Sequence, residues 1–235
     1  EALAKCALLS LGRVLGERVG EDRNAEVLTH IRDERLPPAP GVRKYRTNER
    51  QDFHSDGADI VGLLCLHPAR AGGESRIASA HVIYNEMVRR APRLVDVMYE
   101  PMPWDRNDEQ SAGEAPFFEL PPIIDIDGLP RLFFIAWYIR DSQRHPQAPR
   151  LTDDQRAALD LAENIANDPA FHIEMQFEPG DVQLLNNTTV LHSREAYTDE
   201  EDPAQRRHLL RLWLKTPTAS THELLRGGVP RQAGA

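Results

Sequence analysis

The most informative residues in this chain are two metal-binding side chains one residue apart, at His54 and Asp56. In a β-strand, residues i and i+2 project from the same face, so both side chains could reach one ion. His192, which follows an apolar strand pattern, is the candidate third ligand. Two histidines and a carboxylate on one face of a metal are typical of non-haem iron(II) sites with open positions. Because an H-x-D pair also occurs by chance, the surrounding elements must decide its weight.

A strand pattern near the C-terminus places two arginines on one face. Alternation over Arg206–Leu214 groups Arg207 and Arg211 with Leu209 and Trp213. The guanidinium fork matches the geometry of a carboxylate. The alternative is a solvated charged edge, but the apolar neighbours on the same face favour a carboxylate-binding site.

His172 and Glu174 form a competing ligand pair. They alternate with apolar residues over seven positions, which is typical of a half-buried strand. The apolar residues are Phe171, Ile173, Met175 and Phe177. We expect this apolar set to face the core and His172 and Glu174 to face water, so the pair is set aside.

Short strands and turns dominate the rest of the pattern. Ile60–Leu66 is a continuous apolar run of strand length. The Asp127-Gly128 turn separates Ile123–Ile126 from Leu132–Trp137, which predicts a hairpin. Many short strands with few helices predict a mainly β fold with flanking helices, and a double-sheet jelly roll is the best single choice.

Helical signals are fewer. One helix is expected over Ser79–Arg90, capped by its first residue, and another is opened by a capping box at Thr152. The first 45 residues are poorly determined, since glycines weaken a helical pattern over Leu8–Val19. We expect one domain over residues 1–235. Because the sequence does not begin with Met, we also expect that part of the native N-terminus is missing.

Composition limits the function classes. The chain has 235 residues and a net charge of −9, from 28 basic and 37 acidic side chains. This balance argues against a nucleic-acid-binding surface. Two cysteines, Cys6 and Cys65, fit a reducing cytosol, so a cytoplasmic protein is expected. No apolar stretch is long enough to predict a membrane span. The composition leaves open whether the protein forms a homo-oligomer.

Four short motifs occur in an order that resembles a known family. They are Phe53-His54-Ser55-Asp56-Gly57, Gly72-Gly73-Glu74-Ser75, Pro179-Gly180-Asp181 with Asn186-Asn187 and Leu191-His192, and Arg206-Arg207 with Arg211. Together they resemble the taurine dioxygenase-like (TauD/TfdA) family of Fe(II)- and 2-oxoglutarate-dependent oxygenases, over residues 45–217. The resemblance implies a double-stranded β-helix, a cupin-like jelly roll, with the metal at one open end.

The resemblance also implies residue roles. His54, Asp56 and His192 match the three iron ligands of the family. Arg207 and Ser75 match the arginine and the hydroxyl residue that hold the distal carboxylate of 2-oxoglutarate.

Arg211 matches a second arginine near the cosubstrate or near an anionic substrate. Fifteen residues separate His192 from Arg207, which is slightly longer than is usual in the family. An acidic loop over Thr198–Pro203 absorbs the excess, and Arg206 remains a fallback for the cosubstrate arginine.

The implied reaction uses O2 and 2-oxoglutarate, forms succinate and CO2, and hydroxylates an unactivated C–H bond of a small molecule. Asp56 favours hydroxylation over halogenation, because halogenating relatives replace this carboxylate with a small residue. Two alternatives stay open: a zinc hydrolase with the same three ligands, and a non-catalytic jelly-roll binding module.

The substrate pocket is the least determined part. Candidate lining residues are Phe53, Tyr84, Asn85, Trp137 and Tyr138. Core packing is the alternative role for each aromatic residue among them. The polar stretch Trp104–Glu114 has little regular pattern and is long enough to form an active-site lid.

Overall fold

The computed structural model describes residues 1–20, 28–37, 39, 41–126 and 128–217. The strands are β1 (Glu17–Val19), β2 (Thr29–Ile31), β3 (Gln51–His54), β4 (Ile60–His67), β5 (Ala71–Gly72), β6 (Ser75–Ser79), β7 (Met102–Asp105), β8 (Phe117–Leu120), β9 (Ile123–Ile126), β10 (Leu129–Leu132), β11 (His172–Met175), β12 (Val182–Asn186), β13 (Val190–Arg194), β14 (Tyr197–Thr198) and β15 (His208–Lys215). The α-helices are α1 (Ala2–Leu15), α2 (Ala80–Arg90), α3 (Pro92–Met98), α4 (Ala136–Asp141) and α5 (Asp153–Asn167). Short 3-10 helices cover Lys44–Arg46, Ser142–Arg144 and Pro203–Gln205.

Two antiparallel sheets form the centre of the fold. The first has the order β1-β15-β4-β12, and β2 also pairs with β15. The second has the order β11-β6-β13-β3. Three two-stranded sheets, β7-β8, β9-β10 and β5-β14, surround them. The mainly β fold with flanking helices is therefore as the strand pattern predicts.

Helices cover the outer faces of both sheets. On the second sheet, Phe53 and Leu191 share the main core with Ile83 of α2 and Leu159 of α5. On the first sheet, Leu8 of α1 packs against leucines of β4 and β15. None of the helices in the described ranges is long and apolar enough to cross a membrane.

The N-terminal helix begins and ends earlier in the chain than the pattern over Leu8–Val19 predicts. It ends at Leu15, and residues 17–19 pair with β15 as a strand. A Cβ atom added to Gly12 would lie 2.5 Å from Cδ2 of Leu212, and one added to Gly16 would lie 2.5 Å from the Lys215 carbonyl oxygen. The two glycines thus permit close contact with the sheet, although they lower helix propensity.

The predicted caps are present, but the predicted hairpin is only half correct. Ser79 caps α2, and the capping box at Thr152 opens α5. In the hairpin, β9 pairs with β10, which ends at Leu132, and Trp137 lies in α4 rather than in a strand. A short apolar run does not distinguish a strand from a buried helix or loop. Asp127 of the predicted turn lies outside the described residues.

The predicted burial of β11 is wrong at Ile173 and His172, whereas Glu174 is exposed and Phe177 is buried as expected. The side chain of Ile173 is 64% exposed, whereas the ring of His172 lies 5.6 Å from that of Phe53 and its Nδ1 is 2.9 Å from the Ala166 carbonyl oxygen. β11 is the edge strand of the second sheet, and Ile173 projects from it towards solvent.

Candidate metal centre and adjoining cavities

Three ligand-type side chains converge between the two sheets. His54 ends β3 and pairs directly with His192 of β13, and Asp56 lies in the loop just after β3. The ligand atoms of these residues all lie within 4.8 Å of one another, and all three side chains are buried. Nε2 of His54 is 3.6 Å from Oδ1 of Asp56, and Nε2 of His192 is 3.5 Å from Oδ2.

Asp56 is oriented by a loop contact rather than by a strand. The amide of Asn187 accepts from the Asp56 backbone N–H at 2.9 Å. It also donates to the carbonyl oxygens of Asp56 at 2.7 Å and Ala58 at 2.6 Å. This fully buried asparagine therefore fixes the turn that aims the carboxylate at the two histidines.

The histidines are oriented for ligation. Nδ1 of His54 lies 2.8 Å from the Asp52 carbonyl oxygen, a contact that places the proton on Nδ1 and leaves Nε2 as an acceptor. Nε2 of Gln51 lies 3.0 Å from that acceptor. Nδ1 of His192 is buried without a hydrogen-bond partner among the described residues.

The electrostatics keep His54 and Asp56 in the protonation states that metal binding requires. Burial, followed by the neighbouring His192, lowers the pKa of His54 to about 3, so its imidazole is neutral. Burial alone would raise the pKa of Asp56, but the charge of Arg211 and the contact with His192 hold it well below its usual range. Arg211 Nη1 and Trp213 Nε1 donate to its Oδ2 at 3.3 and 3.1 Å. Two imidazoles and one carboxylate fit a divalent transition metal.

A small cavity of about 40 Å³ adjoins the triad on the side of β15. Arg207 lines it and is 4% exposed, and its Nη1 has no hydrogen-bond partner in the described part of the chain. Ser75 Oγ also lines it and is 3.3 Å from Nε2 of Gln183. The sequence-predicted residues Ser75, Arg207 and Arg211 thus meet beside the two histidines.

The two adjacent arginines of the β15 segment have different environments. Arg206 is half-buried, donates to the Glu201 carbonyl oxygen at 3.3 Å and does not line the cavity. Burial lowers the pKa of Arg207, since a charged guanidinium is disfavoured where water is excluded. Arg207 therefore faces the small cavity, whereas Arg206 does not.

The small cavity also contains Arg194, which the sequence analysis did not single out. It is 6% exposed, and burial, followed by the nearby charge of Arg207, lowers its pKa to about 10. Gln51 and Gln183 were missed as well. The i+2 rule applied to His192 indicates Arg194, whereas no local sequence signal indicates the two glutamines.

A second, larger cavity of about 790 Å³ opens on the other side of the triad. His54, Asp56 and Arg211 line it, as do Trp137 and Tyr138 of α4. The ring centroid of Trp137 is 5.2 Å from that of His54, and Lys44 Nζ lies 4.9 Å from the centroid of the Trp137 ring.

Three predicted substrate residues do not reach this cavity, and that expectation is corrected. Phe53 is fully buried in the main core, because it precedes His54 on a strand and so faces the opposite side. Tyr84 packs against the same core, and Asn85 is exposed on α2. Trp137 and Tyr138 are the candidates that line the cavity.

The predicted lid is partly a strand. Trp104 belongs to β7, is fully buried and donates from Nε1 to the Leu120 carbonyl oxygen at 2.8 Å. Residues 106–114 follow this strand, and several of them line the large cavity. Arg43 Nε donates to Glu109 at 2.6 Å, which joins this segment to the wall formed by residues 42–45.

Comparisons with known proteins agree with this arrangement. The family model described as taurine catabolism dioxygenase TauD, TfdA family matches residues 7–213. The chain is 36% identical over 224 residues to FR-33289 synthase of Streptomyces rubellomurinus (strain ATCC 31215), covering 90% of this chain and 66% of that protein.

Solved structures show the same fold. Asparagine oxygenase in complex with Fe(II), 2S,3S-3-hydroxyasparagine and succinate superposes with a TM-score of 0.70 at 18% identity, covering 91% of this chain and 65% of that one. Non-heme iron oxygenase OrfP in complex with Fe and alpha-ketoglutaric acid gives 0.66 at 16%, covering 90% and 64%. The predicted double-stranded β-helix is confirmed, and the chain spans just under two thirds of the length of these proteins.

Proposed function

This chain belongs to the TauD, TfdA family, and we propose that it is an Fe(II)- and 2-oxoglutarate-dependent dioxygenase. The proposed reaction hydroxylates a C–H bond of a small anionic molecule and forms succinate and CO2. One observation carries the proposal: a buried His-Asp-His set adjoins a cavity in which Arg207 presents an unpartnered guanidinium N–H. A dicarboxylate cosubstrate that binds the metal at one end needs a cationic donor such as Arg207 at its other end.

The metal ligands proposed are His54, Asp56 and His192. When bound, iron(II) together with 2-oxoglutarate and O2 supplies the oxidising power for C–H cleavage. Asp56 contributes a permanent negative charge, because Arg211 and Trp213 stabilise its ionised form. Its carboxylate also fills the position that halogenating relatives leave to a halide, which supports hydroxylation.

The cosubstrate residues proposed are Arg207 and Ser75, with Arg211 close to both cavities. Arg207 supplies a charge-assisted hydrogen bond to the distal carboxylate, and Ser75 supplies a hydroxyl donor. Leu63, Leu209 and Phe177 close the same cavity and keep water from competing for these donors.

The substrate site proposed is the large cavity. Lys44, Arg106 and Arg211 line it, and Nε of Arg106 is buried without a hydrogen-bond partner within the described ranges. This unpartnered cationic donor supports an anionic substrate. Trp137 and Tyr138 supply apolar surface near His54 and help to exclude water during the reaction.

An anaerobic titration tests the proposed function. Protein loaded with Fe(II) should develop a visible charge-transfer band when 2-oxoglutarate is added, and succinate should form once oxygen and substrates are supplied. Loading with Zn(II) should give no band and serves as the control. Absence of the band with Fe(II) would contradict the cosubstrate assignment and favour a hydrolase or a binding module.

A further inference from the structure

Arg194 lies on the inner face of the second sheet, in the row of residues next to the metal ligands. It follows His192 by two residues on β13, so its side chain points to the same face. In the ladder, His192 is opposite His54 and Ile77, whereas Arg194 is opposite Gln51 and Ser75. Directly opposite side chains in antiparallel strands are neighbours. Arg194 is therefore the cross-strand neighbour of the serine proposed to hold the distal carboxylate.

Arg194 and Arg207 contact the same tyrosine ring and line the same cavity. The guanidinium carbons of both residues lie 5.0 Å from the ring centroid of Tyr197. Both side chains line the small cavity, and both are at least nine-tenths buried. In the described ranges, neither guanidinium forms an ion pair with a carboxylate. Two buried cations that line one cavity are costly unless the cavity holds an anion.

The donors of Arg194 are only partly used. Its Nη2 donates to the carbonyl oxygens of Glu49 and, at 3.4 Å, of Lys44. Its Nε and Nη1 are buried and have no hydrogen-bond partner among the described residues. Since buried donors are rarely left unpaired, these two nitrogens indicate a missing acceptor.

We propose that Arg194 is a second cosubstrate-binding arginine, which selects a dicarboxylate by contacting the distal carboxylate together with Arg207 and Ser75. This role rests on the proposed function. It makes Arg194 a determinant of cosubstrate specificity, because a 2-oxo acid without the distal carboxylate would leave two buried guanidinium groups uncompensated.

A binding experiment without turnover tests this role. Anaerobic calorimetry on Fe(II)-loaded protein would compare 2-oxoglutarate with 2-oxopentanoate, which carries a methyl group in place of the distal carboxylate. In Arg194→Met, 2-oxoglutarate should bind about 10- to 100-fold more weakly, which is the usual effect of losing a charged hydrogen bond. The affinity for 2-oxopentanoate should change by less than about 2-fold, since this ligand lacks the group that Arg194 contacts.

Two results would contradict this role of Arg194. If both ligands weaken equally, Arg194 only anchors the backbone at Lys44 and Glu49, and the proposal is overturned. Unchanged 2-oxoglutarate binding overturns it as well. Arg206→Met removes the same charge from a residue that does not line the cavity and should leave both affinities unaltered.

A conservative variant covers the case in which Arg194→Met does not fold. Arg194→Lys keeps the charge but loses the planar fork, so it should weaken 2-oxoglutarate selectively, by a smaller factor. A selective loss supports the proposal, and an equal loss for both ligands overturns it. If the unaltered protein binds Fe(II) but not 2-oxoglutarate, the proposed function itself fails, which this design separates from a failure of Arg194 alone.

Discussion

The two cavities beside the metal centre are built in different ways. The small cavity is lined by side chains of strands in both central sheets, with neighbours fixed by ladder hydrogen bonds. The large cavity is lined mainly by residues 42–45, by residues 104–114 and by α4, which ion pairs and ring contacts hold together. The scaffold itself thus forms one pocket, whereas connecting segments form the other. Connecting segments vary more readily than strands, so the large cavity can change while the small cavity stays the same.

The largest effect should come from Asp56→Ala, since this carboxylate borders the large cavity and completes the triad. Losing a direct ligand should weaken iron binding by more than the roughly 10- to 100-fold that loss of an outer-shell partner costs. Equilibrium dialysis with Fe(II) would measure it. Asp59→Ala, which removes a nearby buried carboxylate outside the triad, is the comparison variant. Equal iron affinity in the unaltered protein and Asp56→Ala would refute the ligand assignment.

Arg207→Ala should affect only the small cavity. The apparent affinity for 2-oxoglutarate should fall by about 10- to 100-fold, with activity partly rescued at high 2-oxoglutarate. Steady-state kinetics over a 2-oxoglutarate series would show the rescue. Arg206→Ala should behave like the unaltered protein. If Arg206→Ala weakens 2-oxoglutarate binding and Arg207→Ala does not, then Arg206 is the cosubstrate-binding arginine.

Glu109→Gln should affect only the large cavity, because it removes the ion pair with Arg43. We expect a change in unfolding free energy of about 0–1 kcal/mol, as for other partly exposed pairs. Cleavage within residues 106–114 by a protease should become faster, while 2-oxoglutarate affinity stays constant. Asp154→Asn is the matched control, because it breaks the exposed ion pair with Arg93, and neither residue lines the large cavity. Equal cleavage rates would show that the ion pair does not hold this wall.

The smallest effect concerns Cys65, which packs against Leu209 and Phe177 behind the small cavity. Burial raises the pKa of the Cys65 thiol to about 11. At pH 8 only roughly one thousandth of it would be thiolate, so iodoacetamide should modify it very slowly. Exposed Cys6 is the internal control in the same protein. Rapid alkylation of Cys65, measured by peptide mass, would show that the strand-built pocket opens often.

The sequence was most informative where function depends on strand alternation. Arg207 and Arg211 could be placed on one inner face because residues i and i+2 share a face in β15. The same rule was not applied to His192, and Arg194 was therefore missed. The H-x-D spacing indicated two residues that the structure brings together with His192, although Asp56 is aimed by Asn187 from a distant loop.

The large cavity was less predictable for a physical reason. Its lining depends on which segments pack together in three dimensions, and local pattern carries little of that information. Phe53 precedes His54 directly in the chain, yet adjacent strand residues face opposite sides, and Phe53 lies in the main core. Trp137 and Tyr138 line the cavity from α4, whose first two residues the apolar pattern had assigned to a strand.

The position of β15 has a consequence for biosynthesis. The ribosome delivers residues 208–215 after every other described strand, yet β15 lies inside the first sheet between β4 and the strands β1 and β2. Until it emerges, β4 has an open edge, and Asp56 lacks Arg211 and Trp213. Pairing between distant segments forms slowly, and open edges invite aggregation. Iron should therefore be acquired only after this strand has been translated.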